Sequence, residues 1–383
     1  MSTTTPAGFR ASGVTAGLKP SGRPDVALVV NDGPDHHAAA VFTTNRVEAA
    51  PVTWSRQVVT DGRADAAVLN SGGANACTGA QGFADTHATA EHAATALDVS
   101  AGDVVVCSTG LIGELLPMDT LTAGVTVAAG ALADDGGAAA AEAIMTTDTV
   151  AKTAAAARDG WSVGGMAKGA GMLAPALATM LVVVTTDAVT SAADLDAALR
   201  EATRTTFDRI DSDGCMSTND TVLAMASGAS GVTVDRADLT EAIREVCADM
   251  ARQLIGDAEG AHHDIEIVVR GAASEDDGLE VARSIARNTL FKCAIFGRDP
   301  NWGRVLAAVG TTQAAFEPQQ LDVSINGVQV CRAGGVGEDR SHVDLEEREV
   351  RVEVDLHAGA EEVTVWTNDL THDYVHENSA YST

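Results

Sequence analysis

Residues 164–181 read GGMAKGAGMLAPALATML. A glycine-rich run carries Lys168, passes through Pro175 and ends on Ala178-Thr179, at the mouth of an apolar stretch. Two readings of this segment are open. In the structural one, a loop enters a buried strand and Thr179 is simply a β-branched strand residue. In the chemical one, the Thr179 hydroxyl attacks the carbonyl of Ala178, which is small enough to leave that carbonyl open. An N-to-O acyl shift followed by hydrolysis would consume one water and cut the chain between Ala178 and Thr179. The new N-terminal threonine would then hold a nucleophile and its own base. An α-amino group has an ordinary pKa of about 7.7–8.0, so its neutral fraction can take the hydroxyl proton. Donors for the oxyanion have to come from elsewhere in the chain.

Outward from this segment, strands and helices alternate. Strands are predicted at 26–30, 38–42, 66–69, 104–107, 180–185, 221–225 and 265–269 from their Val, Leu and Ile content. Helices are predicted at 83–97, 191–205, 236–255, 279–287 and 302–309, with weaker candidates at 120–133 and 138–144. Ser191 reads as an N-cap with Asp194 three residues on. The last seventy or so residues change character. Asn326-Gly327 between 321–325 and 328–331 is a type I′ hairpin signal, and 350–356 with 362–366 alternates like a second hairpin. The elements point to α+β or layered α/β, with a β-richer C-terminal part.

The composition excludes whole classes of partner. The 383 residues carry 54 Asp+Glu against 25 Lys+Arg, a formal charge of −29. Nucleic acid and anionic membrane surfaces both need clustered basic residues, so neither is an expected partner. High charge can mark disorder, but 45% of the residues are apolar, enough to bury a large core. The basic residues are lopsided: only Lys19, Lys152, Lys168 and Lys292 are lysines. Scarce lysine with an acidic surplus resembles proteins of halophiles, which work in molar salt. The other reading is an ordinary acidic enzyme from a GC-rich genome. The start lacks the apolar region of a signal peptide, and the longest mainly apolar run, 172–184, falls short of the roughly 18 residues of a membrane span. The six cysteines are scattered without a CxxC and read as reduced thiols of a cytoplasmic protein.

Most catalytic motifs are missing. No GxSxG, HExxH or GxxxxGK[ST] occurs. Gly335-Val336-Gly337 lacks the later glycine and the preceding strand of a dinucleotide fingerprint. His372 and His376 are four apart on a segment with no clear helical face, and His36-His37 and His262-His263 have no companion ligand spacing. No metal site is expected. The acidic clusters at 134–135 and 275–277 read as solvated loops or helix ends.

With these motifs set aside, KGAGMLAPALATML resembles the self-cleavage motif of the ornithine acetyltransferases, the bifunctional glutamate N-acetyltransferase/amino-acid acetyltransferase family of arginine biosynthesis. The resemblance continues through NSGGANACTGAQG (70–82), CSTGLIGELLPM (107–118), IMTTDT (144–149), DSDGCMSTNDT (211–221), DAEGA (257–261), FGRDPNWGR (296–304) and the terminal YVHENSAYST, in the family's order. Residue by residue, it implies Thr179 as the nucleophile freed by cleavage after Ala178. Thr109 and Gly110 match the oxyanion pair, a hydroxyl and a backbone N–H able to supply two donors. Lys168 matches the substrate-binding lysine, a suitable counter-charge for an amino-acid carboxylate. Glu259 matches the substrate glutamate, able to pair with an amino group of ornithine. Asn378 and Thr383 match the terminal pair that binds substrate. The early substrate threonine falls in IMTTDT, where Thr146 is chosen over Thr147. Gly73 and Cys215-Met216 sit at positions taken as tolerant.

The implied reaction is ping-pong acetyl transfer from N2-acetylornithine to glutamate through an acetyl-threonine, with no metal or organic cofactor. It leaves open acetyl-CoA as a second donor. The implied fold is a layered α/β/β/α sandwich of the N-terminal-nucleophile type with a smaller C-terminal α/β domain from about residue 260. Residues 1–178 and 179–383 would stay together as α and β chains, in an α2β2 or larger assembly. Two rivals use other chemistry: an N-terminal-nucleophile aminopeptidase or amidase with water as acceptor, and a non-enzymatic, salt-adapted binding protein.

Overall fold

A computed structural model describes residues 2–173 and 180–380. The chain forms two compact units, Met1–Asp208 with Cys215–Asp257, and Arg209–Gly214 with Ala258–Ser382. Among the described residues, no helix is long and apolar enough to cross a membrane.

The first unit runs β1 (Phe9–Val14), β2 (Val26–Asn31), β3 (His37–Phe42), α1 (Ala50–Val58), β4 (Ala66–Asn70), α2 (Gly79–Leu97), β5 (Val104–Ser108), α3 (Met118–Gly130), α4 (Gly137–Ala143), β6 (Lys152–Ala157), β7 (Ser162–Lys168), β8 (Leu181–Thr186), α5 (Ala192–Thr205), β9 (Thr221–Ala226) and α6 (Arg236–Gly256). Its strands form two sheets, in the orders β1-β2-β4-β5 and β3-β9-β8-β7-β6. β2 is buried throughout because both of its faces are covered. Ala27 and Val29 enter the core between the sheets, with Met166, Leu181, Val183, Leu223 and Met225 from the other sheet. Val26 and Leu28 point the opposite way, toward Ala90 and Ala93 of α2 and Leu121 and Val125 of α3. On the second sheet, α5 and α6 pack on one another and against β3, β6 and β7. The result is the expected α/β/β/α layering. Small alanines on the facing surfaces let the layers approach with few aromatic residues.

Ser191 caps α5 as predicted, its Oγ accepting the Asp194 N–H at 3.1 Å. Leu195, Ala198, Leu199 and Ala202 form the buried stripe of that helix. β6 and β7, which flank the decisive segment, are Ala- and Gly-rich (KTAAAA and SVGGMAK) and give no strand signal of their own. They are strands because β8, with Leu181-Val182-Val183-Val184, supplies a ladder for β7, and β7 in turn supplies one for β6.

The second unit runs β10 (Asp264–Ala272), α7 (Glu275–Ala286), α8 (Thr289–Phe296), α9 (Trp302–Val309), β11 (Asp322–Ile325), β12 (Val328–Arg332), β13 (Gly335–Val336), β14 (Glu349–Asp355), β15 (Glu361–Asn368) and α10 (His372–Ala380). One sheet, in the order β13-β12-β11-β14-β10-β15, packs its apolar residues with those of α7, α8 and α9. The Asn-Gly hairpin is present: Asn326 and Gly327 both have positive φ, and Ile325 faces Val328.

The second predicted hairpin is not. β14 and β15 do not pair with each other; β10 lies between them, parallel to β14 and antiparallel to β15. The connection crosses the end of β10, where the N–H groups of Ala358 and Gly359 donate to the Gly271 carbonyl at 2.7 and 2.8 Å. Local alternation reports which face of each strand is buried, not which strand becomes its neighbour. The helix predicted from residue 279 starts earlier, at Glu275. Ser274 caps it, and Glu275, Asp276 and Asp277 fill its first turn, where the helix dipole favours negative charge. His372 and His376 lie on α10, which buries none of its residues.

Candidate active site

In the first unit, β4 and β5 are parallel neighbours that end side by side at Asn70 and Ser108. Their loops are knitted together at this end. Asn70 Nδ2 donates to Ser108 Oγ at 2.7 Å, and the Thr109 N–H donates to the Asn70 carbonyl at 3.0 Å. Asn219 Nδ2 donates to the carbonyls of Ala74 at 2.6 Å and Ser108 at 2.8 Å. Gly73 and Thr109 form an isolated antiparallel bridge. Gly110 has φ +130°, and a Cβ there would come within 2.9 Å of the Gly73 nitrogen. A side chain there would meet the Gly73 backbone and adopt an unfavourable φ, so the position calls for glycine.

Lys168 is the last residue of β7 and is 1% exposed. Its Nζ donates to Thr109 Oγ1 at 3.3 Å and lies 4.0 Å from Asp148 Oδ2. The same carboxylate accepts the Thr146 N–H at 3.0 Å through Oδ2 and the Gly169 N–H at 2.6 Å through Oδ1. Thr109, Thr146 and Lys168, distant in sequence, therefore share one hydrogen-bonded cluster, with Gly110 adjoining.

The motifs alone assign no role to three further members of this cluster, Asp148, Lys152 and Asp257. Asp148 and Lys152 are fully buried and 2.7 Å apart, and Lys152 also reaches Asp257 Oδ2 at 2.6 Å. Burial alone would push the Asp148 carboxyl up; the Lys168 and Lys152 charges and two donated hydrogen bonds outweigh it, leaving the pKa at about 2. The sequence did hold a signal. Asp148 stands two residues past Thr146 in IMTTDT, and Lys152 is one of only four lysines.

Ala178 and Thr179 lie outside the described residues, as does Thr383. The described chain resumes at Met180, whose N–H donates to Asp220 Oδ1 at 3.0 Å and whose carbonyl accepts the Thr221 N–H at 3.1 Å. β7 and β8 then pair with Lys168 opposite Leu181. Asp220 is completely buried, and its Oδ2 makes no hydrogen bond among the described residues. Burial pushes its carboxyl well above the usual range, offset in part by the Met180 N–H, the Ser217 side chain and the Lys168 charge.

In the second unit, the structure brings Glu259 and Asn378 together. Asn378, on α10, donates from Nδ2 to Glu259 Oε2 at 3.0 Å. Thr371 Oγ1 donates to the Gly260 carbonyl at 2.6 Å and anchors the start of that helix. Glu259 also lines a cavity of about 240 Å³ with Asp213, Arg287, Lys292 and Tyr374. This wall carries both signs of charge, as a zwitterionic ligand requires.

The ArgJ family profile matches residues 10–383. The chain is 66% identical over 382 residues to the arginine biosynthesis bifunctional protein ArgJ of Streptomyces avermitilis, and 65% identical over 382 residues to that of Streptomyces coelicolor, with full coverage of both partners in each case. Among solved structures, the arginine biosynthesis bifunctional protein argJ of Bacillus halodurans is similar at 35% identity and a TM-score of 0.50, over 52% of this chain and 98% of that one. The chain belongs to the ArgJ family.

Proposed function

We propose that this chain is an acetyltransferase of arginine biosynthesis that moves the acetyl group of N2-acetylornithine to glutamate through an ester on Thr179. The observation that carries the reading is the 3.3 Å contact between Lys168 Nζ and Thr109 Oγ1, beside Gly110, which sets a carboxylate anchor against an oxyanion donor. Full-length identity to relatives named for arginine biosynthesis supports it.

In the first half-reaction, the Thr179 hydroxyl adds to the acetyl carbonyl while its own α-amino group takes the proton. The Thr109 hydroxyl and the Gly110 N–H donate to the oxyanion. Collapse breaks the C–N bond, the ammonium returns its proton to the leaving nitrogen, and ornithine departs. In the second half-reaction, the neutral amino group of glutamate attacks the ester, its proton passes to Thr179 Oγ1, and N-acetylglutamate leaves. Lys168 anchors the carboxylate common to both amino acids. No metal or organic cofactor enters either balance.

The same hydroxyl performs the earlier cut at Ala178–Thr179. Residues 1–178 and 179–383 stay together as α and β chains, with the smaller domain from about residue 260, in a cytoplasmic α2β2 or larger assembly. Glu259, Asn378 and Thr383 contribute to substrate binding. Intact mass measurement of protein given N2-acetylornithine alone is the direct test. One acetyl group on a fragment beginning at Thr179, discharged by glutamate as N-acetylglutamate, is expected. Release of the group only as acetate would overturn the transfer reading in favour of an amidase. Glutamate acetylation from acetyl-CoA alone decides whether there is a second donor.

The charge of −29 is proposed as an adaptation to high salt. Screening shortens the Debye length from about 10 Å at 0.1 M to about 3 Å at 1 M, which relieves self-repulsion. Activity and assembly should therefore rise over that range of KCl, and full activity in dilute buffer would refute the adaptation.

A further inference from the structure

Two lysines of the first unit already have clear tasks. Lys152 is neutralised by Asp148 and Asp257, and Lys168 faces Thr109. Lys19 is the third. Its backbone is fixed by the buried carboxylate of Asp25, which accepts the N–H groups of Ala16, Gly17, Leu18 and Lys19 at 2.6 to 3.1 Å. This nest presses Leu18 onto Gly72 so closely that any Cβ there would clash with the Leu18 side chain. The next residue is Gly73, the bridge partner of Thr109. Ser71 Oγ, on the same loop, donates to the Ala143 carbonyl at 2.6 Å. The Lys19 loop is therefore packed against the oxyanion loop.

The side chain completes the link. Lys19 Nζ donates to the Met145 carbonyl at 2.6 Å and the Pro24 carbonyl at 2.8 Å. Met145 directly precedes Thr146. An ammonium has three donors, so among the described residues one remains after the two carbonyls. The group is partly exposed, beside the cluster that joins Thr109, Thr146 and Lys168. Burial first, then the Arg23 charge, pulls its pKa down to about 8; Asp25 and Asp148 oppose the shift and Lys168 adds to it. It is a cation whose surroundings would welcome another anion.

The proposed reaction brings an anion of that kind. Donor and acceptor share an α-carboxylate, for which Lys168 suffices. Glutamate brings a second carboxylate on its side chain, where ornithine has an ammonium. We infer that Lys19 binds the side-chain carboxylate of the acceptor and so selects glutamate in the second half-reaction. The inference rests on the acetyl-transfer reading above and deepens it.

The test separates the half-reactions. Wild type, Lys19→Met and Lys19→Arg are acetylated with N2-acetylornithine, freed of small molecules, and discharged with glutamate or with glutamine, which matches glutamate in shape but lacks the charge. Wild type should prefer glutamate by about tenfold, the scale of a partly exposed charge-assisted contact. Lys19→Met should acetylate within about twofold of wild type yet discharge to glutamate about tenfold more slowly, with the preference over glutamine gone. Lys19→Arg should retain much of the preference. A Lys19 that only props the loop would slow both half-reactions together and leave the preference intact, which would overturn the inference. So would a wild type indifferent between glutamate and glutamine, a measurement that needs no variant. Absence of any acetyl-enzyme in wild type would instead bring down the transfer reading itself, and Lys19's role with it.

Discussion

Protein carrying Thr179→Ala is expected to run as one band of 383 residues on a denaturing gel, where wild type is expected to give two. One substitution should remove both activities, because in the proposed mechanism the hydroxyl that opens the Ala178–Thr179 bond is the hydroxyl that later carries the acetyl group. Even if the uncut chain folds normally, the α-amino group that serves as base stays locked in a peptide bond. Transfer to glutamate should fall by at least about 10⁴-fold, as when other covalent nucleophiles are deleted. Thr179→Ser keeps the hydroxyl and should still cut and transfer, more slowly for want of the methyl group that restricts χ1. A Thr179→Ala chain that still separates at this junction would sink the mechanism.

The second large effect concerns stability. Asp148 faces Lys152 at 2.7 Å and Lys168 at 4.0 Å with no exposed side-chain surface. Replacing it by alanine takes a counter-charge from two buried ammonium groups and strips the Thr146 and Gly169 N–H groups of their acceptor. Breaking a buried charge network from one side costs about 3–5 kcal/mol, or about 10 °C in Tm. Thermal unfolding in a Thr179→Ala background, where the chain stays in one piece, reads this cleanly. The pH dependence carries a sign. Folding depresses the Asp148 carboxyl from its usual 3.8 to about 2. Its contribution is therefore complete above about pH 4 and is lost as pH falls through 2. Asp148→Asn should show a lower Tm at neutral pH and a shallower loss on acidification. An unchanged Tm in both variants would mean that the cluster is not the anchor of this end of the sheets.

Much of the architecture could be read before any coordinates. β2, β4, β5, β8 and β9 are rich in Val and Leu, and α5 and α6 carry caps or periodic apolar stripes. These elements announce themselves locally. β6 and β7 do not, since Ala and Gly have little intrinsic strand preference and acquire one only from a neighbour. The false hairpin of β14 and β15 has the related cause that alternation is local and pairing is not. At the site, Thr109, Gly110 and Lys168 were legible through motifs. Asp257 and Asn219 stand inside quoted motifs too, but their pairings were not legible: Asp257 meets Lys152 across 105 residues of chain and Asn219 meets Ser108 across 111. The contribution of Lys19 depends on a carboxylate nest and a close packing contact that no spacing encodes.

The strand order β3-β9-β8-β7-β6 has a consequence for the life of the molecule after cutting. β3, β6 and β7 precede the junction, whereas β8 and β9 follow it. A cut chain is thus two polypeptides laced through one sheet along two seams, β3 with β9 and β7 with β8. While the chain is whole, the seam between β7 and β8 closes within one polypeptide, with few residues between the strands, at an effective concentration of order mM. Once it is cut, the same seam can re-form only by a bimolecular encounter, second order in protein. The mature enzyme would then persist because its unfolding is slow rather than because it refolds well. On the proposed mechanism the covalent link would be a scaffold needed once, for assembly, and its loss would make the folded state a product that its own fragments cannot readily regenerate.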